Sequence, residues 1–278
     1  MHRLYLAGPD VFRTDSIAIG ASKQARCRAY GCEGLFPLDA SIDPSLSGRA
    51  QGIAIWEACV EMMSVADAAI VDLTPFRGVS ADVGTAVEVG FLTARGIPCF
   101  AHTDSVDDYA ARVAHAGVAE RGSLVEDFGF SDNLMLDGSI WASGSGVVRR
   151  RAMSGFESCL RRASGLPPAV ARHLDAVDDP TGADASRLAA DYSDNARLIR
   201  PDGIRVGIAD IGSYFETVPA RLRGKRFEVV AARSTEGSAE ISWQIVDKGV
   251  AVTSGTDTYA VEDDLIIEQT VVLGAGDF

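Results

Sequence analysis

The sequence has little positive charge. It contains 26 lysines and arginines against 39 aspartates and glutamates, which gives a formal net charge of −13. A protein that binds a polynucleotide needs a basic surface to neutralise phosphates, and neither half of this chain offers one. The basic run Arg149-Arg150-Arg151 is typical of a solvated face or a subunit contact. The composition therefore excludes nucleic-acid polymers as the expected partner.

Long apolar runs are also missing. The chain has no apolar stretch of about 18 residues, the length of a membrane span, and its N-terminus lacks the charged-then-apolar pattern of an export signal. We therefore expect a soluble, unexported, cytoplasmic protein that has no membrane partner.

The cysteines lack the spacing of metal ligands. Five are scattered along the chain, at Cys27, Cys32, Cys59, Cys99 and Cys159. We interpret them as reduced thiols, and the sequence predicts neither a metal site nor a cofactor. With 47% hydrophobic residues among 278, the chain has enough apolar side chains for one or two packed domains.

Short apolar strands alternate with helix-like segments over the first part of the chain. Such alternation predicts a doubly wound parallel sheet of the flavodoxin or Rossmann type, with helices on both faces. Pro167-Pro168 then breaks the pattern. Helices, one of them across residues 183–192, followed by strands of alternating polarity predict an α+β domain. We therefore predict two domains, residues 1–165 and 166–278.

One stretch, residues 69–92, carries most of the chemistry. It predicts a buried strand that ends at Asp72, a loop, and a helix that starts at Asp82. Ligands of open α/β sheets lie beyond the carboxyl ends of the strands, so Asp72 should lie on the floor of a crevice. An aspartate before a helix is also an ordinary N-cap, and an acid at a strand end can be structural.

Glu88 is the unusual residue of this stretch. At helical spacing it shares a small or apolar face with Gly84, Thr85, Phe91 and Leu92, so its carboxylate lies on the side of the helix that should be buried. Burial disfavours a charged carboxylate unless it has partners or a task. Glu88 is therefore a candidate nucleophile or proton carrier, with a structural acid held by nearby donors as the alternative.

Three blocks of sequence resemble the nucleoside 2-deoxyribosyltransferase family. They are L-Y-L-A-G-P-D-V-F near the N-terminus, V-D-L-T-P-F-R-G followed by A-D-V-G-T-A-V-E-V-G-F, and V-E-D-F-G-F-S-D-N-L-M-L across residues 125–136. The resemblance covers most of residues 1 to about 162. It implies a pentosyltransferase that moves 2-deoxyribose between nucleobases with retention. Free nucleosides need no basic footprint, so the acidic composition is compatible with them.

The resemblance implies roles for individual residues. Breaking an N-glycosidic bond builds positive charge on the anomeric carbon, so an anionic nucleophile and a proton supply are needed. Glu88 would attack that carbon to form a glycosyl–enzyme ester, Asp72 would bond and protonate the base, and Tyr5 would position Glu88. A tyrosine in a strand is otherwise ordinary core.

The same resemblance implies a set of substrate-binding residues. Asp82 would lie near the sugar, and Asn133, with Met135 beside it, would reach the 5′ end from a neighbouring subunit, which requires a homo-oligomer. Gly8 and Gly78 would allow close approach to the ligand, although both are equally well explained as turn glycines. Arg77 could hold a phosphate. Because a carboxylate at Asp82 would repel a phosphate, we favour nucleosides over nucleoside monophosphates.

Two other functions remain open at this stage. Water instead of a second base would make the protein an N-glycosidase acting on nucleosides or nucleoside 5′-monophosphates. A protein with a degenerate site would be a ligand-binding or scaffold protein, and the presence of Asp72, Asp82 and Glu88 argues against this.

Residues from about 170 to 275 resemble the SnoaL-like, NTF2-like superfamily. The resemblance rests on L-A-A-D-Y-S-D-N-A-R-L-I-R-P-D-G, on I-S-W around Trp243, and on S-G-T-D-T-Y before the last strand. It implies a cone-shaped α+β fold that fixes shape rather than activity. We expect dimer contacts or a small-molecule pocket. Five residues could point into a cone, each more readily explained as core or surface: Tyr192, Tyr214, Trp243, Asp257 and Glu268.

Overall fold

A computed structural model of the chain describes residues 1–119, 122–144, 146–150, 152–178 and 185–276. The chain forms two compact units. One comprises Met1–Arg28 and Cys32–Ala163, and the other comprises Ala29–Gly31 and Ser164–Phe278. No helix among the described residues combines the length and the apolarity needed to cross a bilayer.

The N-terminal unit is built from alternating strands and helices. Within its described residues these are β1 (His2–Ala7), α1 (Ser16–Ala29), β2 (Cys32–Leu35), α2 (Gly48–Val65), β3 (Ala68–Asp72), α3 (Val83–Ala94), β4 (Cys99–Thr103), α4 (Tyr109–Ala116), α5 (Leu134–Ala142), β5 (Val148–Arg149) and α6 (Ala152–Ala163). A short 3₁₀ helix, Pro9–Phe12, follows β1 directly.

The strands of this unit form a parallel sheet in the order β2-β1-β3-β4-β5. The central strand β3 is apolar from Ala68 to Val71, as expected for a strand that is covered on both faces. The order reverses between β1 and β3, and open α/β sheets bind ligands beyond the carboxyl ends of the strands at this switch point. Both β1 and β3 end next to each other here, with Ala7 paired to Val71.

The C-terminal unit combines helices with a mixed sheet. Its described elements are α7 (Pro168–Val177), α8 (Ala185–Ala189), β6 (Tyr192–Arg200), β7 (Gly203–Val206), α9 (Ile208–Phe215), α10 (Val218–Leu222), β8 (Arg226–Thr235), β9 (Ser238–Asp247), β10 (Val250–Glu262) and β11 (Leu265–Ala275). The strand order is β7-β6-β11-β10-β9-β8. Strands β8 to β11 form an antiparallel meander, and β6 pairs with β11 in parallel.

The predicted fold class is confirmed: an α/β unit with a parallel sheet precedes an α+β unit. Two details of the second unit differ from the prediction. The helix expected across residues 183–192 is described only as the short α8, and Tyr192 begins β6. Residues 183 and 184 lie outside the described part of the chain. Strand β7, a short hairpin partner of β6, was not predicted.

Candidate active site

The carboxyl ends of β1 and β3 lie side by side at the switch point of the sheet. Gly8, the residue after β1, has a φ angle of 150°, and a Cβ placed there would lie 2.8 Å from the Cβ of Asp72 at the end of β3. Only glycine satisfies both this backbone conformation and this contact. The position of Asp72 at the switch point thus depends on the absence of a side chain at Gly8.

Glu88 lies on α3 and faces β1. Its Oε1 accepts a hydrogen bond of 2.6 Å from the hydroxyl of Tyr5, which is fully buried in the middle of β1. Glu88 itself is half-buried, and burial raises the pKa of its carboxyl to about 7. The bond from Tyr5 lowers this pKa and the nearby charge of Asp82 raises it. The result is a carboxylate that exists at neutral pH but is poorly solvated.

Tyr5 serves as a fixed donor to Glu88. Burial, followed by the charge of Glu88, raises the pKa of its phenol far above the ordinary value, so the hydroxyl stays protonated at any working pH. The thiol of Cys59 on α2 also contacts this hydroxyl. Strand β1 and helix α2 therefore orient Tyr5, and Tyr5 orients the Glu88 carboxylate.

Asp82 is the N-cap of α3. Its carboxylate accepts a hydrogen bond of 3.2 Å from the backbone N–H of Thr85, which satisfies one of the free donors at the start of the helix. The cap holds Asp82 at the end of α3 that carries Glu88, close enough for the two charges to interact. The structural role is therefore observed, and it is compatible with a second role toward a ligand.

Asp72 has a neighbour that the sequence analysis missed. Its Oδ1 accepts a hydrogen bond of 2.9 Å from the backbone N–H of Thr74, and it lies 3.9 Å from Nδ1 of His102, the residue paired with it on β4. His102 is only 1% exposed. Burial, opposed by Asp72, lowers the pKa of the imidazole to about 4, so the ring is neutral.

In the loop between β3 and α3, the guanidinium of Arg77 packs against two aromatic rings. The guanidinium carbon of Arg77 lies 4.6 Å from the ring centre of Phe76 and 4.9 Å from that of Phe12, and these two rings stack on each other at 5.3 Å. Arg77 has a φ angle of 56°. Neither phenylalanine was singled out from the sequence. Gly78 has open space where a Cβ would be, so no contact with a described residue requires a glycine there, and its role beside a ligand stays a prediction.

Asn133 and Met135 start helix α5. The side chain of Asn133 caps this helix by accepting a hydrogen bond of 2.9 Å from the backbone N–H of Met135, and its amide donates one of 2.9 Å to Glu126. Met135 is 70% exposed. Within one protomer Asn133 thus orders its own segment, while Met135 is accessible to another molecule.

A buried carboxylate, also missed from the sequence, ties this segment to the active-site loop. Asp132 is 1% exposed and accepts hydrogen bonds from the backbone N–H of Ala81, the hydroxyl of Ser80 and the guanidinium of Arg112. Ser80 and Ala81 come just before α3, and Asp132 comes just before α5. The hydrogen bonds between them therefore fix the start of α3 relative to the start of α5.

The C-terminal unit contains a separate cavity of about 50 Å³. Three of the five residues considered from the sequence line it, namely Tyr214, Trp243 and Asp257. Glu268 instead forms an ion pair of 3.1 Å with Arg197. The remaining wall is mostly aliphatic and aromatic, and the sequence analysis did not identify its other polar members, His173, Arg200, Tyr259 and Gln269.

Asp257 is the centre of a buried hydrogen-bond network in this cavity. Its Oδ1 accepts a bond of 2.7 Å from the indole N–H of Trp243, and its Oδ2 accepts bonds from the amide of Gln269 at 2.7 Å and from the hydroxyl of Tyr259 at 3.1 Å. Burial raises the pKa of the Asp257 carboxyl to about 6, and the three donors oppose this shift.

His173 adds an acceptor to the same cavity. Its Nδ1 lies 3.1 Å from the carbonyl oxygen of Leu188, so this nitrogen carries the ring proton and Nε2 keeps its lone pair. Burial lowers the pKa of the imidazole to about 4, so the ring is neutral.

Comparisons with known proteins address the N-terminal unit most directly. Residues 4–135 match the family model of nucleoside 2-deoxyribosyltransferase. An uncharacterized protein of Schizosaccharomyces pombe is 29% identical over 168 residues, covering 52% of this chain and 80% of the relative. The match supports homology to the family across residues 4–135; the extension of the resemblance to about residue 162 stays a prediction.

Solved structures resemble each unit. The 2-desoxiribosyltransferase from Leishmania mexicana is 28% identical and superposes with a TM-score of 0.46, covering 58% of this chain and 98% of that one. An NTF2-like protein of unknown function from Cytophaga hutchinsonii is 18% identical with a TM-score of 0.32, covering 40% of this chain and 100% of that one.

Proposed function

We propose that the N-terminal unit is a nucleoside 2-deoxyribosyltransferase that works through a covalent intermediate on Glu88. The observation that carries this proposal is the Tyr5–Glu88 pair, in which a poorly solvated carboxylate with a pKa of about 7 faces the switch point of the sheet. A carboxylate of this kind is a competent nucleophile for an anomeric carbon at neutral pH. The family match over residues 4–135 provides independent support.

The first half-reaction exchanges one bond to the sugar for another. Tyr5 occupies Oε1 of Glu88, and the structure describes no donor to Oε2, which is therefore the oxygen that attacks C1′. As the ester forms, the C1′–N bond breaks and its electron pair goes to the base, which takes a proton from Asp72. A second base then reverses these steps by attacking C1′ and returning a proton to the Asp72 carboxylate.

The substrate-binding residues follow from their positions around this pair. Gly8 lets the chain after β1 pass close beside Asp72, and Asp82, at the N-terminus of α3, accepts a hydrogen bond from a sugar hydroxyl. The charge of Asp82 favours a free 5′-hydroxyl over a phosphate. Arg77 stacks on Phe12 and Phe76, which positions the rim of the cleft rather than leaving the guanidinium free for a phosphate.

Asn133 and Met135 are proposed to act across a subunit interface, where they complete the site of a second copy of the chain. The 70% exposure of Met135 supports this assignment. Mixing a Glu88→Gln variant with an Asn133→Ala variant tests it, because a mixed oligomer regains one intact site. Recovery of turnover supports a shared site, and mixtures no more active than their components contradict it.

The reaction itself is tested with 2′-deoxyinosine, with and without free adenine. A new deoxynucleoside that forms only with adenine present, and is lost in Glu88→Gln, supports the transferase. Hypoxanthine released without exchange identifies an N-glycosidase that uses water as acceptor. If neither occurs, nucleoside monophosphates and ribonucleosides follow, and failure of all of them supports a degenerate binding site.

For the C-terminal unit we propose a binding pocket rather than a role limited to dimer contacts. The cavity is lined by apolar side chains, and Asp257 and His173 present hydrogen-bond acceptors within it. A small, largely apolar ring with one hydroxyl matches this lining, whereas an anion would be repelled by Asp257. Saturation-transfer NMR with phenol and with benzoate tests the choice. Binding of phenol that weakens in Asp257→Ala supports the pocket, and equal signals for both probes contradict it.

A further inference from the structure

His102 is a buried polar group without a hydrogen bond in the N-terminal unit. Within the described residues neither Nδ1 nor Nε2 has a partner, although the side chain is almost completely shielded from solvent. An unsatisfied buried polar group destabilises the folded protein. A leucine would fill this position without that cost, so the imidazole calls for an explanation in terms of function.

The ring is confined to one orientation. A Cβ at Gly155 on α6 would lie 3.0 Å from the Cβ of His102 and 2.6 Å from the carbonyl oxygen of Arg150, so α6 packs directly against the histidine. Nδ1 is held 3.9 Å from Oδ1 of Asp72. A closure of about 1 Å would bring these atoms to hydrogen-bonding distance.

The charged groups around the ring leave Asp72 as its acceptor. Asp72 faces it from β3, Lys23 from α1 and Asp10 from the 3₁₀ helix after β1. Lys23 and Asp10 are already joined by an ion pair of 2.5 Å, and Lys23 is only 7% exposed. The lysine also discourages a second proton on the imidazole. His102 therefore has one ring proton to donate, and the Asp72 carboxylate beside it can accept a further hydrogen bond.

We propose that His102 is a positioning residue for Asp72, whose carboxylate accepts the Nδ1–H of the neutral imidazole once Asp72 has protonated the departing base. This inference rests on the proposed function of Asp72. The proton moves from Asp72 to the base nitrogen, the C1′–N bond breaks, and Glu88 takes the sugar. The imidazole keeps its own proton throughout and stabilises the negative charge left on Asp72 until the second base arrives.

Kinetics of two variants test this role. In His102→Asn the amide N–H₂ occupies the place of Nδ1–H, whereas His102→Leu fills the space without a donor. We expect His102→Leu to lower kcat about 10- to 100-fold with little change in KM, and His102→Asn to recover most of the loss. His115→Asn, on the exposed face of α4, is the matched control. Equal losses in the Asn and Leu variants would indicate a packing role and overturn the proposal.

A measurement without turnover separates this inference from the proposed reaction. Nitrogen-15 NMR of the four histidines identifies which ring nitrogen carries the proton. We expect the His102 signals to show a proton on Nδ1 and to move when Asp72 is replaced by asparagine. A proton on Nε2, or signals unaffected by Asp72→Asn, would disprove the pairing even if the enzyme were active. An inactive enzyme with the expected signals would refute only the transferase.

Discussion

Burial raises the carboxyl pKa of Glu88 in the N-terminal unit and of Asp257 in the C-terminal unit, and the surroundings of the two groups differ. Asp257 accepts hydrogen bonds from three side chains, which occupy both of its oxygens. Glu88 accepts one, from Tyr5, and the described residues leave its second oxygen open to the cleft. A carboxylate held at both oxygens by fixed donors anchors a network, whereas one with a free oxygen can react. Partner number, rather than burial, separates the two roles.

The largest expected effect comes from removing the Glu88 oxygen that accepts no hydrogen bond from the described residues. Replacing Glu88 with glutamine keeps the shape and the bond from Tyr5 but removes the nucleophile, so we expect deoxyribosyl transfer to fall about 10⁴-fold or more. Turnover of 2′-deoxyinosine with adenine measures it. Glu57→Gln on the exposed face of α2 is the matched control and should retain full activity. A residual rate above one per cent in Glu88→Gln would place the nucleophile elsewhere.

The second test removes the anchored carboxylate. Asp257→Ala leaves the donors of Trp243 and Gln269 buried without an acceptor, and we expect a local destabilisation of about 3 kcal/mol. Hydrogen exchange of the β9, β10 and β11 amides measures this loss. Glu240→Ala, on the exposed side of β9, should leave exchange unchanged. If Asp257→Ala also left amide exchange unchanged, the hydrogen-bond network would not stabilise the sheet.

The third test concerns pH. A nucleophilic carboxylate must be ionised, so kcat/KM should rise about tenfold per pH unit as the pH approaches a pKa of about 7 from below. The bond from Tyr5 lowers this pKa. Tyr5→Phe should therefore shift the acidic limb to higher pH and reduce kcat/KM about tenfold at pH 6. If the acidic limb of the pH profile lies at the same pH with and without Tyr5→Phe, the phenol does not control the ionisation of Glu88.

The smallest expected effect is on stability. The folded pKa of Glu88 lies above its unfolded value, so folding favours the protonated form and the ionised carboxylate weakens the fold as pH rises from about 4.5 to about 7. Glu88→Gln should therefore raise Tm by about 2–4 °C at pH 8 and leave it unchanged at pH 4. Asp257→Asn offers the contrast, since its NH₂ replaces an oxygen that accepts hydrogen bonds and leaves at least one buried donor unpaired, which lowers Tm at both values. Thermal melts that rank the two variants the other way would reverse the assignment of roles.

The sequence predicted most of what periodicity can encode. Period-two and helical patterns gave the parallel sheet, the meander β8–β11 and the buried face of Glu88. His102 was missed because its significance lies in the pairing of β3 with β4, which places it beside Asp72 across 30 residues of chain. Gln269 was missed for the same reason, since its partner Asp257 lies on the adjacent strand β10. A single sequence does not specify the strand register that makes these side chains neighbours.

The contact between Gly8 and Asp72 determines where the cleft can change over evolution or in the laboratory. No other residue fits at Gly8, because a side chain there would collide with Asp72. Gly78, on the neighbouring loop, has free space around it and tolerates substitution. The floor of the cleft is therefore fixed while its rim can vary. Libraries directed at new bases should accordingly diversify Gly78 and leave untouched both the β1 turn and the two loop residues that donate hydrogen bonds to Asp132, namely Ser80 and Ala81.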